Sequence, residues 1–588
     1  MSPHGTSIEE PATARRHHLL MTLVRVGLVL VIVLLVLGVL TSGDLPVLPA
    51  VALVLLAWAV IAAVDSLHWL LRTALPTLAM TASTAWTAAW KALTNDPVGS
   101  RLHRTTSRIK PHARRLRPVV GWIERRFGTQ TTGLLLTVSV LTATMAALAL
   151  RSIGLGVDNT HSSISRFDLR VSNIASRLEL GGQRRVMEAI TNVGNTRSVL
   201  TLAGLLVIGA FAARAWRSAA LLVGTLATSS LIVTILKLHH ARPRPALGQL
   251  VETSTSFPSG HAAASLSLAL GVVLWWWACR PRRLALVAAV TVPLGLLIGY
   301  SRAYLSIHWL SDVAAGWLVA ILAAAIVVFV DRVVATRLHP PNQTSARAPI
   351  PIYLVSLLTV IAAAVLAVTG RHNFPTKAPR TAPTRLATTE PQTLLRALPR
   401  YSETLFGRRM EPLGLVIIAP RADLHAAIKR AGWTIADPIT PGRLLHTYWA
   451  GLRGHTDLTA PVTPTFLDTR VEDLAIQQQS LGQGVKARHH ARFWRLPIDP
   501  PGACSVWAVT ASLDDRVEWT LRTLLPNHHI APAIDTERDL LARTLSRASN
   551  LKDLGRFGFV GPTLGTNAAG DPFFTDGNIA ILRQPSCH

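Results

Sequence analysis

Long apolar segments recur along this 588-residue chain, and they constrain its fold more than any other feature. The first runs from Leu19 to Leu40 and is interrupted only by Arg25. In a helix, about 20 apolar residues rising about 1.5 Å each are enough to span the roughly 30 Å of bilayer hydrocarbon. Further runs follow at 46–64, 133–150, 198–213, 218–236, 262–278, 284–299, 313–330 and 350–368. The sequence therefore predicts a mostly helical, polytopic membrane protein.

The first apolar run is interpreted as a retained anchor. It is longer than the core of a usual signal peptide, and no clear small-x-small cleavage site follows it. The composition agrees with a membrane protein, because 49% of the residues are apolar and only 15% are charged.

The formal charge of +27 could suggest a nucleic-acid partner. A nucleic-acid binder gathers its cations on one folded face, whereas many of the basic residues here cap apolar segments. They are better explained as juxtamembrane anchors attracted to anionic headgroups. We expect the lipid bilayer as a partner and no nucleic acid.

The distribution of Lys and Arg predicts an orientation, with the amino terminus in the cytoplasm. The cytoplasmic side then receives Arg15, Arg16, a basic loop at 65–130, Arg214, Arg217, Arg280, Arg282, Arg283, Arg332, Arg337 and Arg347. One loop disagrees, since Arg151 to Arg197 carries seven arginines and would lie outside. Its amphipathic stretches, such as Phe167 to Leu180, are expected to lie on the headgroups.

After the last apolar run, a Pro- and Thr-rich linker at about 370–391 leads into a segment with the pattern of a soluble domain. A strand is predicted at 414–420, a helix at 423–431 that ends at Gly432, and another strand at 506–511. An α/β or α+β domain outside the membrane follows. Cys504 and Cys587 could pair in an oxidising compartment, although two unpaired thiols are equally compatible with the sequence.

The predicted organisation has four parts. Residues 1–130 hold two transmembrane helices and the basic loop, 131–336 a six-helix membrane domain, 337–392 a further span and the linker, and 393–588 the soluble domain.

Charged and polar residues at the ends of these apolar runs form three groups between Lys237 and Asp312. The first contains Lys237, Arg244 and Pro245, the second is Pro258-Ser259-Gly260-His261, and the third contains Ser301, Arg302, His308 and Asp312. The predicted orientation places all three groups on the extracytoplasmic face.

These residue types fit the chemistry of phosphate esters. Lys237, Arg244 and Arg302 can offset the charge of a phosphoryl group, although each alone would be read as a snorkelling residue. Ser259 and Gly260 precede a helix whose first NH groups lack partners and attract anions, although Ser259 alone could be an ordinary N-cap.

His308 and Asp312 are four residues apart. On a helix they share a face, so the carboxylate can accept one ring NH and leave the other nitrogen free to attack phosphorus. A pair at this spacing is more often a simple polar contact, but here it lies near three cations and His261.

The three groups resemble the signature motifs of the type 2 phosphatidic acid phosphatase superfamily: Lys, six residues, Arg-Pro; Pro-Ser-Gly-His; and Ser-Arg, five residues, His, three residues, Asp. The resemblance covers roughly residues 133 to 330. It implies a six-helix membrane core and a phosphohistidine mechanism without metal or cofactor. By resemblance, His308 is the nucleophile, Asp312 orients it, and His261 protonates the leaving group. The implied phosphoryl ligands are Lys237, Arg244, Ser259, Gly260, Ser301 and Arg302.

The C-terminal part resembles the LssY-type C-terminal domain. The resembling pieces are 431–433, 488–494, 528–530 and 535–539. This family implies no established activity, and the sequence identifies no partner for the domain. A metal site or a second hydrolytic site could be formed by His489, His490, His528, His529, Asp535 and Asp539. They lack the spacing of a zinc motif, so hydrogen-bonding histidines are favoured.

We therefore expect an integral membrane hydrolase of lipid phosphate or diphosphate monoesters in a bacterial-type plasma membrane. Phosphatidate-like lipids, phosphatidylglycerol phosphate and polyprenyl diphosphates all fit. Two alternatives stay open. One is a phosphotransferase that uses the same phosphohistidine, and the other is a non-catalytic membrane protein whose cations only bind an anion.

Overall fold

The computed structural model describes residues 132–175, 181–279, 284–338, 390–438, 461–480, 487–499, 504–519 and 526–587, with scattered residues at 358–385 and 440–460. The two amino-terminal spans, the basic loop at 65–130 and most of the linker lie outside these residues. The predicted span at 350–368 is described only at 358–359 and 361–367.

Nine helices of the described residues form the membrane part. They are α1 Thr132–Val157, α2 Ser163–Ala175, α3 Gly181–Val193, α4 Thr196–Ala212, α5 Trp216–His239, α6 Ala246–Gln249, α7 Gly260–Cys279, α8 Leu284–Tyr304 and α9 Leu310–Leu338. Local capping residues and prolines determine where some of these helices begin and end. Asn195 caps α4, because its side chain accepts a hydrogen bond of 2.8 Å from the Ser198 amide. Pro243 and Pro245 follow α5, and neither can continue a helix.

Five of these helices are long and apolar enough to cross a membrane, namely α1, α5, α7, α8 and α9. The segments Gln183–Val193 and Thr196–Ala212, in α3 and α4, pass the same test together but are bent by 53° at the break between them. Counted as one broken span, this pair completes six spans, which is the number predicted for the core.

Small residues bring the spans close together. A β-carbon on Gly316 of α9 would lie 2.6 Å from the Ser259 carbonyl oxygen, so only glycine allows α9 to approach the start of α7 this closely. Large apolar side chains such as Met145, Leu231 and Val290 are exposed on the outside of the bundle. A bilayer would cover them.

The C-terminal part contains helices and a mixed sheet. The helices are α10 Pro391–Arg396, α11 Arg421–Arg430 and α12 Ile534–Ala548. The strands are β1 Thr384–Arg385, β2 Tyr401–Glu403, β3 Arg409–Pro412, β4 Leu415–Ala419, β5 Thr434–Ile435, β6 Phe466–Leu467, β7 Arg470–Val471, β8 Leu474–Gln479, β9 Arg488–Arg495, β10 Ile498–Asp499, β11 Ser505–Trp519, β12 Pro526–Ile530, β13 Lys552–Gly558, β14 Thr563–Thr566, β15 Pro572–Thr575 and β16 Asn578–Arg583.

The main sheet has the order β13-β16-β4-β11-β9-β8-β5, with β12 paired to β11. Strands β4 and β16 run parallel, and the other pairs of this sheet are antiparallel. Helices α11 and α12 cover one face through a core that includes Leu424, Ile428 and Leu541. Both predicted strands and the predicted helix are confirmed, and Gly432 ends α11 with a φ of 78°.

The short helix α2 lies between the membrane bundle and the C-terminal domain. Its apolar residues Phe167, Val171 and Ile174 pack against Leu405 and Phe466 of the domain. We predicted that this amphipathic stretch lies on lipid headgroups. The described part of it, up to Ala175, instead has one of its faces covered by protein, because the domain presents a complementary apolar surface.

Cys504 and Cys587 form a disulfide, which resolves the pairing that the sequence left open. Both sulfur-bearing residues are buried in the core on the second face of the sheet, beside Val506 and Ile581. The bond joins the start of β11 to the chain after β16, two strands that both flank β4.

We expect replacement of both cysteines by alanine to lower the free energy of unfolding by about 2–4 kcal/mol, because the unfolded chain regains the entropy of an 83-residue loop. Thermal unfolding in detergent measures this change. Reductant should lower the Tm of the wild-type protein but not that of the variant. A wild-type Tm that does not respond to reductant would contradict the prediction.

Candidate active site

The residues of the three motifs come together at one end of the membrane bundle. Lys237 lies in the last turn of α5, His261 in the first turn of α7, and Arg302 in the last turn of α8. Asp312 lies in the first turn of α9. Because consecutive spans run in opposite directions, these four helix ends share one face of the bundle, as predicted.

Arg244 stands at the centre of the site. It is buried, and its Nη1 lies 2.8 Å from His308 Nε2. Two contacts to Ser254 hold the guanidinium, from Nε to the carbonyl oxygen at 2.8 Å and from Nη2 to Oγ at 2.9 Å. Its position beside His308 is therefore fixed by the loop that follows α6.

Glu252 joins two of the predicted phosphoryl ligands. Its Oε2 lies 2.5 Å from Arg244 Nη2, and its Oε1 accepts a hydrogen bond from Arg302 Nη2. Burial alone would raise the pKa of the Glu252 carboxyl, but the charges of Arg302 and Arg244 outweigh it and lower that pKa below its ordinary value. Two buried guanidinium groups thus converge on one anionic group beside an imidazole.

His308 and Asp312 are in contact as predicted, with Nδ1 3.4 Å from Oδ2. Burial lowers the pKa of His308 well below its ordinary value, and the charges of Arg302 and Arg244 lower it further. The imidazole is therefore neutral at pH 7. Since Arg244 donates to Nε2, the proton of the neutral ring belongs on Nδ1, facing Asp312.

Asp312 has further donors that hold its carboxylate. Oδ2 accepts bonds from Ser256 Oγ at 2.5 Å and from the Trp309 amide at 3.0 Å, and Oδ1 accepts one from Arg242 Nη1 at 2.7 Å. The carboxylate orientation is thus set by three groups besides His308.

Two further predicted phosphoryl ligands, Lys237 and Gly260, lie at the ends of α5 and α7. Lys237 Nζ donates to the Thr255 carbonyl oxygen, and its charge lies close enough to influence His308. Apart from its chain neighbours and the backbone of α7, no heavy atom of the described residues lies within 4 Å of a β-carbon built on Gly260, so there is space beside the first turn of α7. That first turn is where backbone NH groups attract an anion.

The two serines among the predicted ligands make local hydrogen bonds. Ser259 Oγ accepts from the Ala262 amide at 3.4 Å, which is the N-cap arrangement that the sequence left open. Ser301 Oγ donates to the Ile298 carbonyl oxygen at 2.6 Å. Contact of either hydroxyl with a phosphoryl group stays a prediction.

Sequence reasoning missed Glu252 and Arg242. Glu252 is the one acidic residue between Arg244 and Pro258 in the sequence, which was a usable signal in a segment rich in cations. Arg242 falls at a variable motif position, and no role was predicted for it or for the neighbouring His239 and His240. In the structure His240 pairs with Asp158 at 2.8 Å, and His239 is exposed.

Three of the four histidines considered for a metal site, His489, His490 and His529, are engaged in hydrogen bonds. His489 Nδ1 lies 2.6 Å from Glu537, and His529 Nδ1 lies 3.0 Å from Asp515. His490 Nε2 contacts Arg492 and Ser512. Asp535 and Asp539 both pair with Arg538. The hydrogen-bonding interpretation is confirmed for these three histidines, and the described residues contain no group of three or more metal-ligating side chains. The side chain of His528 lies outside the description.

Comparisons with known proteins find similarity in both the membrane part and the C-terminal part of the chain. A model of the PAP2 superfamily matches residues 218–334, and a model of the LssY C-terminus matches residues 395–579. Phosphatidylglycerophosphatase B of Bacillus subtilis is 27% identical over 165 residues, which cover 27% of this chain and 81% of that protein. Undecaprenyl-diphosphatase of Sulfolobus acidocaldarius is 39% identical over 70 residues, which cover 11% of this chain and 29% of that protein.

A crystal structure described as the first transmembrane PAP2 type phosphatidylglycerolphosphate phosphatase from Bacillus subtilis is also similar. It has a TM-score of 0.31 and 24% sequence identity, and the match covers 34% of this chain and 99% of that chain. The PAP2 superfamily model thus matches the part of the chain that forms α5 to α9, and the LssY C-terminus model matches the strand-rich part.

Proposed function

We propose that this protein is an integral membrane phosphatase that hydrolyses a lipid phosphate or diphosphate monoester at the extracytoplasmic face of a bacterial-type plasma membrane. The observation that carries the proposal is the convergence of Arg244 and Arg302 on one acidic group beside His308 Nε2. The names of the two curated relatives, a phosphatidylglycerophosphatase and an undecaprenyl-diphosphatase, support the same class of substrate.

A phosphoryl group would take the place that the Glu252 carboxylate has between the two arginines. Arg244 and Arg302 would then bind its oxygens, and Lys237 would add a third positive charge. Gly260 leaves room for an oxygen to approach the amino end of α7. The proposed phosphoryl ligands are Lys237, Arg244, Ser259, Gly260, Ser301 and Arg302.

His308 is proposed to attack phosphorus through Nε2. Its neutral ring has a lone pair on that atom, which becomes available when Arg244 turns its Nη1 from Nε2 to a phosphoryl oxygen. Asp312 stabilises the positive charge that develops on the ring. A bond forms between Nε2 and phosphorus while the bond from phosphorus to the lipid oxygen breaks. His261 gives its proton to the departing oxygen, so that an alcohol, or a lipid monophosphate from a diphosphate, leaves.

The second step restores the enzyme. His261, now neutral, accepts a proton from water as the water oxygen attacks the phosphohistidine. The bond from phosphorus to Nε2 breaks, and inorganic phosphate is released. Every group involved belongs to this chain, the substrate or water, so the proposed cycle uses no metal and no cofactor.

Two observations support the extracytoplasmic location of the site. The Lys and Arg distribution places the motif loops opposite the basic cytoplasmic loops. The Cys504–Cys587 disulfide is typical of proteins in oxidising compartments. The C-terminal domain contacts α2, and α2 lies at the same end of the bundle as the motifs. An oxidising compartment for the disulfide would therefore also be the compartment of the candidate active site.

A pure anion-binding protein would have no use for a neutral imidazole held against one of the two arginines, so the position of His308 favours catalysis. Hydrolysis and transfer to an acceptor alcohol use the same first step. Product analysis with and without an added alcohol separates these two activities.

We expect His308→Ala to reduce the release of inorganic phosphate from lipid phosphates by about 10³-fold or more, because the variant lacks the attacking nitrogen. The assay uses purified protein, a panel of lipid phosphates and a chelator. His239→Ala is the matched control, since it removes an exposed histidine at the same end of α5 and should keep full activity. Phosphate release by a folded His308→Ala variant at the wild-type rate would refute the proposed nucleophile.

We expect Glu252→Gln to strengthen inhibition by inorganic phosphate by about tenfold, because a neutral amide competes less for Arg244 and Arg302 than a carboxylate does. Inhibition constants in the same phosphatase assay measure the change. Glu188→Gln, which weakens the Arg184–Glu188 pair on α3, is the matched control and should leave inhibition unchanged. Weaker phosphate inhibition of Glu252→Gln would show that the carboxylate does not occupy the phosphoryl position.

The proposal also predicts a pH dependence. The neutral ring of His308 is the reactive form, and its lowered pKa keeps it neutral as the pH falls. We expect kcat/KM, corrected for ionisation of the substrate phosphate, not to fall as the pH is lowered from about 8 to about 6.5, and to show an acid limb only below that range. An acid limb centred at or above pH 6.5 would contradict a buried neutral nucleophile.

A further inference from the structure

We propose that helix α2 couples the C-terminal domain to catalysis, with Arg242 and Asp168 as positioning residues and Glu403 as the domain's anchor on the helix. The inference rests on the proposed function and extends it, because it assigns a role to the C-terminal domain.

The first step of the argument is the contact between Arg242 and Asp312. Arg242 Nη1 donates to Asp312 Oδ1 at 2.7 Å, and Nη2 donates to Asp168 Oδ2 at 2.8 Å. The Arg242 side chain is only 8% exposed, and both carboxylates are fully buried. Moving Asp168 would therefore draw the guanidinium away from Asp312 or leave buried charges unpaired, which is costly.

Asp168 also holds the start of α9 directly. Its Oδ1 accepts a bond of 2.9 Å from the Ser311 amide, and its Oδ2 accepts one from Ser311 Oγ. The carboxylate thus satisfies an amide in the first turn of the helix that carries Asp312. Asp168 acts on Asp312 in two ways, through Arg242 and through the adjacent residue of α9.

The opposite side of α2 belongs to the C-terminal domain. Arg170, which is 2% exposed, pairs with Glu403 of β2 and donates to the Leu405 carbonyl oxygen at 3.4 Å. Arg166 pairs with the same carboxylate at 3.3 Å. Glu403 therefore neutralises a buried cation of α2 from within the domain.

Two further contacts fix the helix on the domain. The ring of Phe167 stacks on that of Phe406 with 5.2 Å between centroids, and Asn173 Nδ2 donates to the Thr469 carbonyl oxygen at 2.8 Å. These contacts come from the turn after β2 and the turn between β6 and β7. They cover most of the length of α2.

The spacing along α2 explains how one short helix serves two domains. Arg166 and Arg170 lie two residues before and two residues after Asp168, and residues two apart on a helix point about 200° apart. A shift or rotation of α2 on the domain surface therefore moves Asp168 against Arg242 and Ser311. The side chains of Arg244, Arg302 and Glu252 are held by one another, by His308 and by Ser254.

Because α2 acts on Asp312 and not on the phosphoryl ligands, its displacement should affect kcat and KM differently. Loosening α2 should misplace the Asp312 carboxylate and so lower kcat, while binding of the phosphoryl group, and with it KM, is retained. A ligand that shifts the turn after β2 would change the rate by the same route.

The test compares Glu403→Gln, Asp168→Asn and the double variant of the full-length protein in detergent. We expect each single variant to lower kcat by about 3-fold to 30-fold with KM and the phosphate inhibition constant unchanged within about twofold. Because both act through one helix, the double variant should lose no more activity than Asp168→Asn alone. Glu403→Asp, which keeps the charge, should restore part of kcat.

Asp539→Asn is the matched control, since Asp539 pairs with Arg538 and Arg556 within the C-terminal domain. It should leave kcat unchanged. If Glu403→Gln does not yield folded protein, Phe406→Ala replaces it, because Phe406 is 45% exposed and its ring stacks on Phe167 of α2. A lower kcat for Phe406→Ala with unchanged KM supports the proposal.

The outcomes separate this inference from the proposed function. If wild-type protein releases no phosphate from any lipid phosphate, the proposed function fails. If wild-type protein is active and folded Glu403→Gln or Phe406→Ala matches it in kcat, the coupling is refuted. Additive losses in the double variant would also refute coupling through α2.

Discussion

Pairing of buried charge at one end of the membrane bundle is the constraint on which the rest of the structure depends. Arg244 and Arg302 are largely removed from water, and they are stable there because they share the Glu252 carboxylate. Arg242 is stable for the same reason between Asp168 and Asp312. The ion pairs of these arginines hold the loop after α6 against the end of α8, and helix α2 against the start of α9. The geometry around His308 is thus a consequence of how the cations are neutralised.

Within the described residues, the sequence predicted the membrane helices and the meeting of the three motifs at one end of the bundle, because both depend on local signals. Apolar length defines the spans, and the alternating direction of spans brings helix ends such as those at Lys237 and Asp312 to one face. The bend between α3 and α4 was not predicted, because the break at Gly194 and Asn195 shortens two helices that only together have the length of a span.

The hydrogen-bond and ion-pair partners within the site could not be predicted, because they depend on tertiary contacts between residues far apart in the sequence. Spacing alone does not indicate that Glu252 lies between two arginines, or that Arg242 reaches Asp312. Helix α2 shows the same limit. Its alternating polar and apolar residues fit a membrane surface and a protein surface equally well, and only the burial of Asp168 and Arg170 distinguishes the two.

In the C-terminal domain, short apolar runs in the sequence predicted strands β4 and β11. The order of the strands and the parallel pairing of β4 with β16 arise from long-range contacts and could not be predicted.

The disulfide has a consequence for how the protein matures. Both Cys504 and Cys587 follow all the membrane spans that the structure describes, so on a ribosome the bundle is synthesised before either thiol emerges. Formation of this bond then completes the domain that holds α2. If α2 positions Asp312 as proposed, the newly inserted bundle would reach its full catalytic rate only after this last covalent step.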